Sequence, residues 1–211
     1  MQIILVRHGA TDWNLQGRCQ GSSDRNLSDV GIRQAERIAE RLSDAGVGAV
    51  GAVYSSGLQR ARQTAERISR PHNLPVLIED AVRELDHGEL EGLTFNEIKS
   101  TYGDFLVRWR SEPAEICVPG GERLADVAER AWDGLNQIVR RHAEAERIVI
   151  VSHNFPILGI VCRVTGTHLN EYRTFHLDPC GVARLAYDGG GWNLTEVNGR
   201  EYAPTAAVTR S

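Results

Sequence analysis

Short apolar runs, too brief for helices, alternate along this chain with longer segments whose apolar residues recur every three or four positions. Ile3 to Val6 is apolar throughout, as a strand covered on both faces must be. Ile148 to Val151 reads the same way, and Val50 to Tyr54 and Val76 to Ile78 read as a second and a third strand. Between them, Ser28 can cap a helix in which Ala35, Ile38, Leu42 and Ala45 recur, ending at Gly46. Leu58 to Ile68 forms a second helix, stopped before Pro71. Thr94 and Glu97 make a capping box for a third. A long helix from Glu122 to His142 carries Leu124, Val127, Ala131, Leu135, Ile138 and Val139 on one face, and another spans Pro156 to Val164. Val182 to Tyr187, a triple glycine, and Trp192 to Val197 read as a closing hairpin. This alternation predicts an α/β fold of three layers, α/β/α, with a mostly parallel central sheet. Ligands of such sheets sit at the carboxyl ends of the strands.

Composition excludes several classes. With 211 residues, 41% hydrophobic and 25% charged, the chain can bury a core without staples. It is read as a single domain over residues 1–202, and the tail from Ala203 to Ser211 is expected to fray. Its 24 basic residues, of which only Lys99 is lysine, face 28 acidic ones, so no basic field exists for nucleic acid. The apolar run after Met1-Gln2 is too short for a signal peptide, and no segment is long enough to span a membrane. Cys19, Cys117, Cys162 and Cys180 form no Cys-x-x-Cys pair and read as reduced thiols. A cytoplasmic location is expected.

The strand ends carry the chemistry. The first run ends in Arg7-His8-Gly9-Ala10-Thr11-Asp12-Trp13-Asn14, the second in Ser55-Ser56-Gly57 with Arg60 and Arg62 just beyond. The third leads to Arg83-Glu84-Leu85-Asp86-His87-Gly88, and the run at Ile148 to Ser152-His153-Asn154. Two histidines, arginines and a carboxylate at four strand ends describe phosphoryl transfer through a histidine. A neutral imidazole can attack phosphorus. Arginine forks hold the charge spread over the equatorial oxygens. A carboxylic acid protonates the leaving oxygen. No clustered carboxylates offer a magnesium site, and no metal or cofactor is expected.

These residues resemble the histidine phosphatase superfamily, also called phosphoglycerate mutase-like, over almost the whole chain to about Tyr202. The resemblance implies that fold, with His8 as nucleophile and Glu84 as proton donor. It implies that Arg7, Asn14, Arg60 and His153 bind the phosphoryl group, and that Gln20, Gly21 and the Asn154 backbone lie toward the substrate. Glu84-Leu85-Asp86-His87-Gly88, Gly120-Gly121-Glu122 and Val151-Ser152-His153 resemble the metal-independent phosphoserine phosphatases of that superfamily, which points to His87 as a reader of substrate. The expected partner is a small phosphorylated metabolite, with phosphoserine the favoured one. A homodimer follows from the resemblance alone.

The short segment between Glu84 and His153 favours the phosphatase branch over phosphoglycerate mutase. A phosphate-binding module without turnover is a further alternative, although no catalytic position is missing. Cys19 to Arg25 also fits the Cys-x5-Arg loop of cysteine-based phosphatases, but no strand precedes it as that loop requires. Arg62 is expected to point away from the site. His72, His142, His168 and His176 read as structural or solvated, and Trp109 and Trp132 as core or cap residues. For the assigned acid and base pair, the rate should follow a bell-shaped pH profile.

Overall fold

Strand β1 (Gln2–Arg7) buries Ile3, Ile4, Leu5 and Val6 completely. Period-two alternation sends Ile3 and Leu5 into one apolar cluster and Ile4 and Val6 into another, so both faces of the sheet are covered. The computed structural model describes residues 1–43 and 48–202. The helix end expected at Gly46 and the tail from Ala203 to Ser211 lie outside the described residues.

Among the described residues the sheet has seven strands. Its order is β3 (Val76–Ile78), β2 (Val50–Ser55), β4 (Arg147–Ser152), β1, β5 (Val182–Tyr187), β6 (Trp192–Val197) and β7 (Arg200–Glu201). The first four run parallel, as the apolar runs require. The hairpin of β5 and β6 joins β1 antiparallel, and the two-residue β7 completes that edge. The sheet is therefore mixed, with its parallel half carrying every strand end of interest. Strand β2 departs from simple alternation. Its register skips Gly51, where a Cβ would lie 2.9 Å from Cβ of Ala145. This bulge puts Val50 and Val53 on one face and Ala52 and Tyr54 on the other.

Helices α2 (Asp29–Ser43) and α3 (Gln59–Ser69) cover one face through Ile38, Ala39, Leu42, Ala61, Ala65 and Ile68. Helices α6 (Leu124–Arg141) and α7 (Asn154–Thr165) cover the other, with Leu135, Ile138, Ile157 and Ile160 in the core. Each buried Leu or Ile among them contributes roughly 1.5–3 kcal/mol by leaving water. Ser28 caps α2 as expected, its Oγ accepting from Gly31 N at 3.2 Å. At Gly31 a Cβ would fall 2.0 Å from the Ala10 carbonyl, so only glycine lets α2 rest on the loop after β1. Thr94 and Glu97 form the expected capping box of α4 (Phe95–Thr101).

Three helical features differ from the sequence expectation. Thr11 and Asn14 cap a four-residue helix, α1 (Asp12–Leu15), too short to leave a periodic trace. Helix α5 (Gly103–Ser111) buries only Trp109 and so lacks an apolar stripe. Helix α7 begins at Asn154, ahead of Pro156, because proline is tolerated in a first turn whose N–H groups have no intrahelical partner.

Candidate active site

The parallel register sets Arg7 opposite Ser152, so the residues that follow β1 and β4 emerge side by side. His8 N donates to Ser152 O at 3.0 Å, and Ser56 N to Val151 O at 3.2 Å, extending the ladder past the strand ends. His8 and His153 thereby face each other with ring centroids 5.0 Å apart, both almost wholly buried. His8 Nδ1 meets the Gly9 carbonyl at 2.7 Å. A carbonyl only accepts, so Nδ1 carries the ring proton and Nε2 the lone pair. Arg60 Nε donates to that Nε2 at 3.2 Å. Burial, then the charges of Arg60 and Arg7, hold the His8 imidazole well below its ordinary pKa, so the ring is neutral. His153 is held down in the same way, by burial first and Arg60 second, and its Nε2 contacts Ser56 Oγ at 2.6 Å.

The two arginines differ in what holds them. Arg60, fully buried in the first turn of α3, donates from Nη1 to Ser23 O at 2.9 Å and from Nη2 to Gly21 O at 2.7 Å. Burial pushes its pKa down to about 10, which leaves it cationic at neutral pH. Arg7 donates from Nη1 to Leu177 O at 2.6 Å, while its Nε is buried without a hydrogen-bond partner. Gln20 Nε2 and His153 Nδ1 are buried and unpartnered as well. Three unspent nitrogens around one neutral histidine suit a group rich in acceptor oxygens.

Glu84 is buried as well. Its Oε1 accepts from Leu85 N at 2.9 Å and Phe155 N at 3.2 Å, and its Oε2 from Asn154 N at 3.1 Å. The carboxyl group thus docks on the first turn of α7. Oε1 accepts two hydrogen bonds and Oε2 one, which leaves Oε2 a lone pair without a partner among the described residues. The Asn154 N–H is spent on Glu84.

A family model of the histidine phosphatase superfamily (branch 1) matches residues 3–200. The chain belongs to that superfamily. Phosphoserine phosphatase 1 of Hydrogenobacter thermophilus is 36% identical over 178 residues, 84% of this chain and 82% of that protein. A probable phosphoglycerate mutase, GpmB of Proteus mirabilis, is 33% identical over 91% of this chain and 87% of its own length. Among solved structures, Bacillus stearothermophilus YhfR superposes with a TM-score of 0.86 at 30% identity, covering 94% of this chain and 96% of that one. Histidine phosphatases work through a phosphohistidine intermediate. Among the described residues, the neutral imidazole whose Nε2 is held against a guanidinium is that of His8.

The remaining residues expected at the site make contacts of their own. Asn14 spends its carboxamide oxygen on Thr11 N at 3.0 Å, which leaves its NH2 as the usable donor. Gln20 Oε1 accepts from Thr11 Oγ1 at 2.7 Å. Gly21 admits no side chain, since a Cβ would lie 2.6 Å from His87 N and 2.7 Å from Leu85 O. His87 donates from Nδ1 to Leu85 O at 2.9 Å and its ring lies 5.4 Å from that of Phe155. Burial lowers its pKa, so its Nε2 is an acceptor. Arg62 is exposed, as expected.

Sequence reasoning missed four supporting residues. Ser56 meets His153, Glu91 accepts from Ser22 N and Ser23 N, and Arg130 with Glu122 grips the segment around Glu84. Ser56 and Glu122 lie in quoted motifs without an assigned role, while Glu91 and Arg130 bond backbone groups distant in sequence, which leaves no motif. The Cys-x5-Arg alternative fails on geometry. Arg25 lies over the Trp13 ring at 4.2 Å, and burial pushes the Cys19 thiol up to about 12. Among the described residues, no three or more His, Cys, Asp or Glu side chains converge as a metal site would require.

Proposed function

We propose that this histidine phosphatase is a metal-independent phosphomonoesterase for a small phosphorylated metabolite, with phosphoserine the favoured substrate. The observation that carries this reading is the state of His8, neutral, with Nδ1–H fixed on Gly9 O and Nε2 beside Arg60. An incoming phosphoryl group offers Arg60 better acceptors than an imidazole nitrogen, and so frees the Nε2 lone pair. Nε2 then bonds to phosphorus as the ester P–O bond breaks. The leaving oxygen takes the proton of Glu84 Oε2. In the second half Glu84, now a carboxylate, takes a proton from water, whose oxygen bonds to phosphorus. The P–N bond breaks and its electron pair returns to Nε2.

Arg7, Arg60, Asn14 and His153 supply the donors to the phosphoryl oxygens in this reading. Gln20, Gly21, His87 and Asn154 border the rest of the substrate. Two observations support phosphoserine. One relative that matches most of the chain bears that name. His87 Nε2, an acceptor with no hydrogen bond within the described residues, also suits an ammonium group better than a carboxylate.

The test is phosphate release in EDTA from phosphoserine, 3-phosphoglycerate, α-ribazole phosphate, sugar phosphates and p-nitrophenyl phosphate, beside His8→Ala. Release that is metal-independent and vanishes in the variant, with phosphoserine ahead, is the expected result. Release that survives His8→Ala overturns the mechanism. Isomerisation of phosphoglycerate without release would favour the mutase reading that GpmB suggests.

A further inference from the structure

Four consecutive carbonyls lead into the proposed acid, and among the described residues none accepts from a backbone N–H. Side chains hold them all. Arg130 Nη1 donates to Ala81 O at 2.8 Å and to Arg83 O at 2.7 Å, and its Nη2 to Glu84 O at 2.9 Å. Ser152 Oγ donates to the fourth, Val82 O, at 2.7 Å. Arg130 Nη2 also donates to Glu122 Oε2 at 3.1 Å, and that oxygen accepts from Asp86 N at 2.9 Å. The other Glu122 oxygen accepts from Arg83 Nη2 at 2.9 Å.

All four Nη hydrogens of Arg130 are thereby spent on protein oxygens, and among the described residues its buried Nε has no hydrogen-bond partner. The clamp depends on α6 coming close. One turn beyond Arg130, a Cβ at Gly134 would fall 2.6 Å from Cβ of Ala81, and only glycine admits the contact. The segment from Ala81 to Asp86 is therefore set in place by one planar fork and the carboxylate beside it. A lysine ammonium cannot span three carbonyls in that way.

We propose that Arg130 is a positioning residue for the general acid, placing the Glu84 carboxyl against the leaving oxygen without touching substrate. The proposal rests on the reading of Glu84 as that acid. Loss of Arg130 should slow phosphoryl transfer according to how much the leaving group needs a proton. A displacement near 1 Å costs on the order of 100-fold, but p-nitrophenolate departs with little help.

The experiment measures kcat/KM, which reports steps up to phosphoenzyme formation, for p-nitrophenyl phosphate and for phosphoserine. Wild type is compared with Arg130→Met, Arg130→Lys and Glu84→Gln, with folding checked by circular dichroism and Tm. The expected result is a ratio of the two values that rises at least about 30-fold in Arg130→Met and, in the same direction, in Arg130→Lys and Glu84→Gln. Equal losses on both substrates would make Arg130 merely structural and overturn the proposal. An Arg130→Lys enzyme equal to wild type would overturn it too, since charge alone would then suffice. Should Arg130→Met not fold, Arg130→Lys decides by the same ratio. An unchanged ratio in Glu84→Gln would fell the acid assignment itself, whereas a raised ratio there with none in the Arg130 variants would fell only the present proposal.

Discussion

Arg60 Nε donates to His8 Nε2 at 3.2 Å, and the same guanidinium holds the carbonyls of Gly21 and Ser23. One buried cation therefore links the proposed nucleophile to the loop from Gly21 to Ser23. It also lies among the causes, after burial, that depress the His8 pKa. NMR titration of labelled histidine should place the His8 midpoint below the ordinary 6.5, and Arg60→Met should move it upward. The same variant is expected to lose about 100- to 1000-fold in kcat/KM. A His8 midpoint indifferent to Arg60 would contradict the electrostatic account.

Stability should follow pH through the two buried histidines. Both His8 and His153 have pKa values lowered in the fold, so the unfolded chain binds more protons once pH falls below about 6.5. Stability is thus lost as pH falls through the unfolded value, at most about 1.4 kcal/mol per pH unit for each ring. Thermal unfolding from pH 8 to 5 should show that loss, and His8→Gln should show a shallower one. For activity, the depressed His8 pKa puts the acid limb of the expected bell below the usual histidine range.

Gly21 and Gly103 offer an internal comparison. A Cβ at Gly21 meets backbone atoms of His87 and Leu85 inside 3 Å, whereas one at Gly103 meets nothing within 4 Å. Gly21→Ala is expected to cost roughly 1–3 kcal/mol and to raise KM by shifting the loop that Arg60 and Glu91 anchor. Gly103→Ala, at the start of α5, should leave Tm unchanged or raise it. Equal effects in a Tm series would mean that the loop is not held where it is described.

The parts of this molecule legible in the sequence are those governed by repeated local rules. Apolar runs marked the parallel strands, Thr94 with Glu97 marked a helix start, and the triple glycine marked the hairpin. His8, Arg60, Glu84 and His153 could be gathered because each lies beyond a strand of the parallel half, with Arg7 ending β1, and parallel register brings such positions to one edge. The bulge at Gly51 and the early start of α7 depend on fit against Ala145 and on Pro156 being harmless in a first turn. Arg130 looked like one more charged residue on the polar side of α6. Its role comes from carbonyls of a segment far away in sequence, which no period or spacing records.

Thiol chemistry separates the histidine reading from the cysteine alternative. Cys19, Cys162 and Cys180 have their thiols pushed up by burial to about 12, 11 and 12, so each is protonated and poorly nucleophilic at neutral pH. Cys117 is exposed and contacts the Val118 and Gly121 carbonyls at 3.5 and 3.3 Å, on the rim of the Gly120-Gly121-Glu122 turn. Iodoacetamide at pH 7.5 should therefore label Cys117 first, by mass spectrometry, while phosphatase activity falls less than about twofold. Arg25, occupied on Trp13, cannot stabilise a phosphate over Cys19 without leaving that ring. Inactivation that tracks modification of Cys19 would reverse the assignment, because a thiolate reactive there requires a pocket unlike the one that buries it.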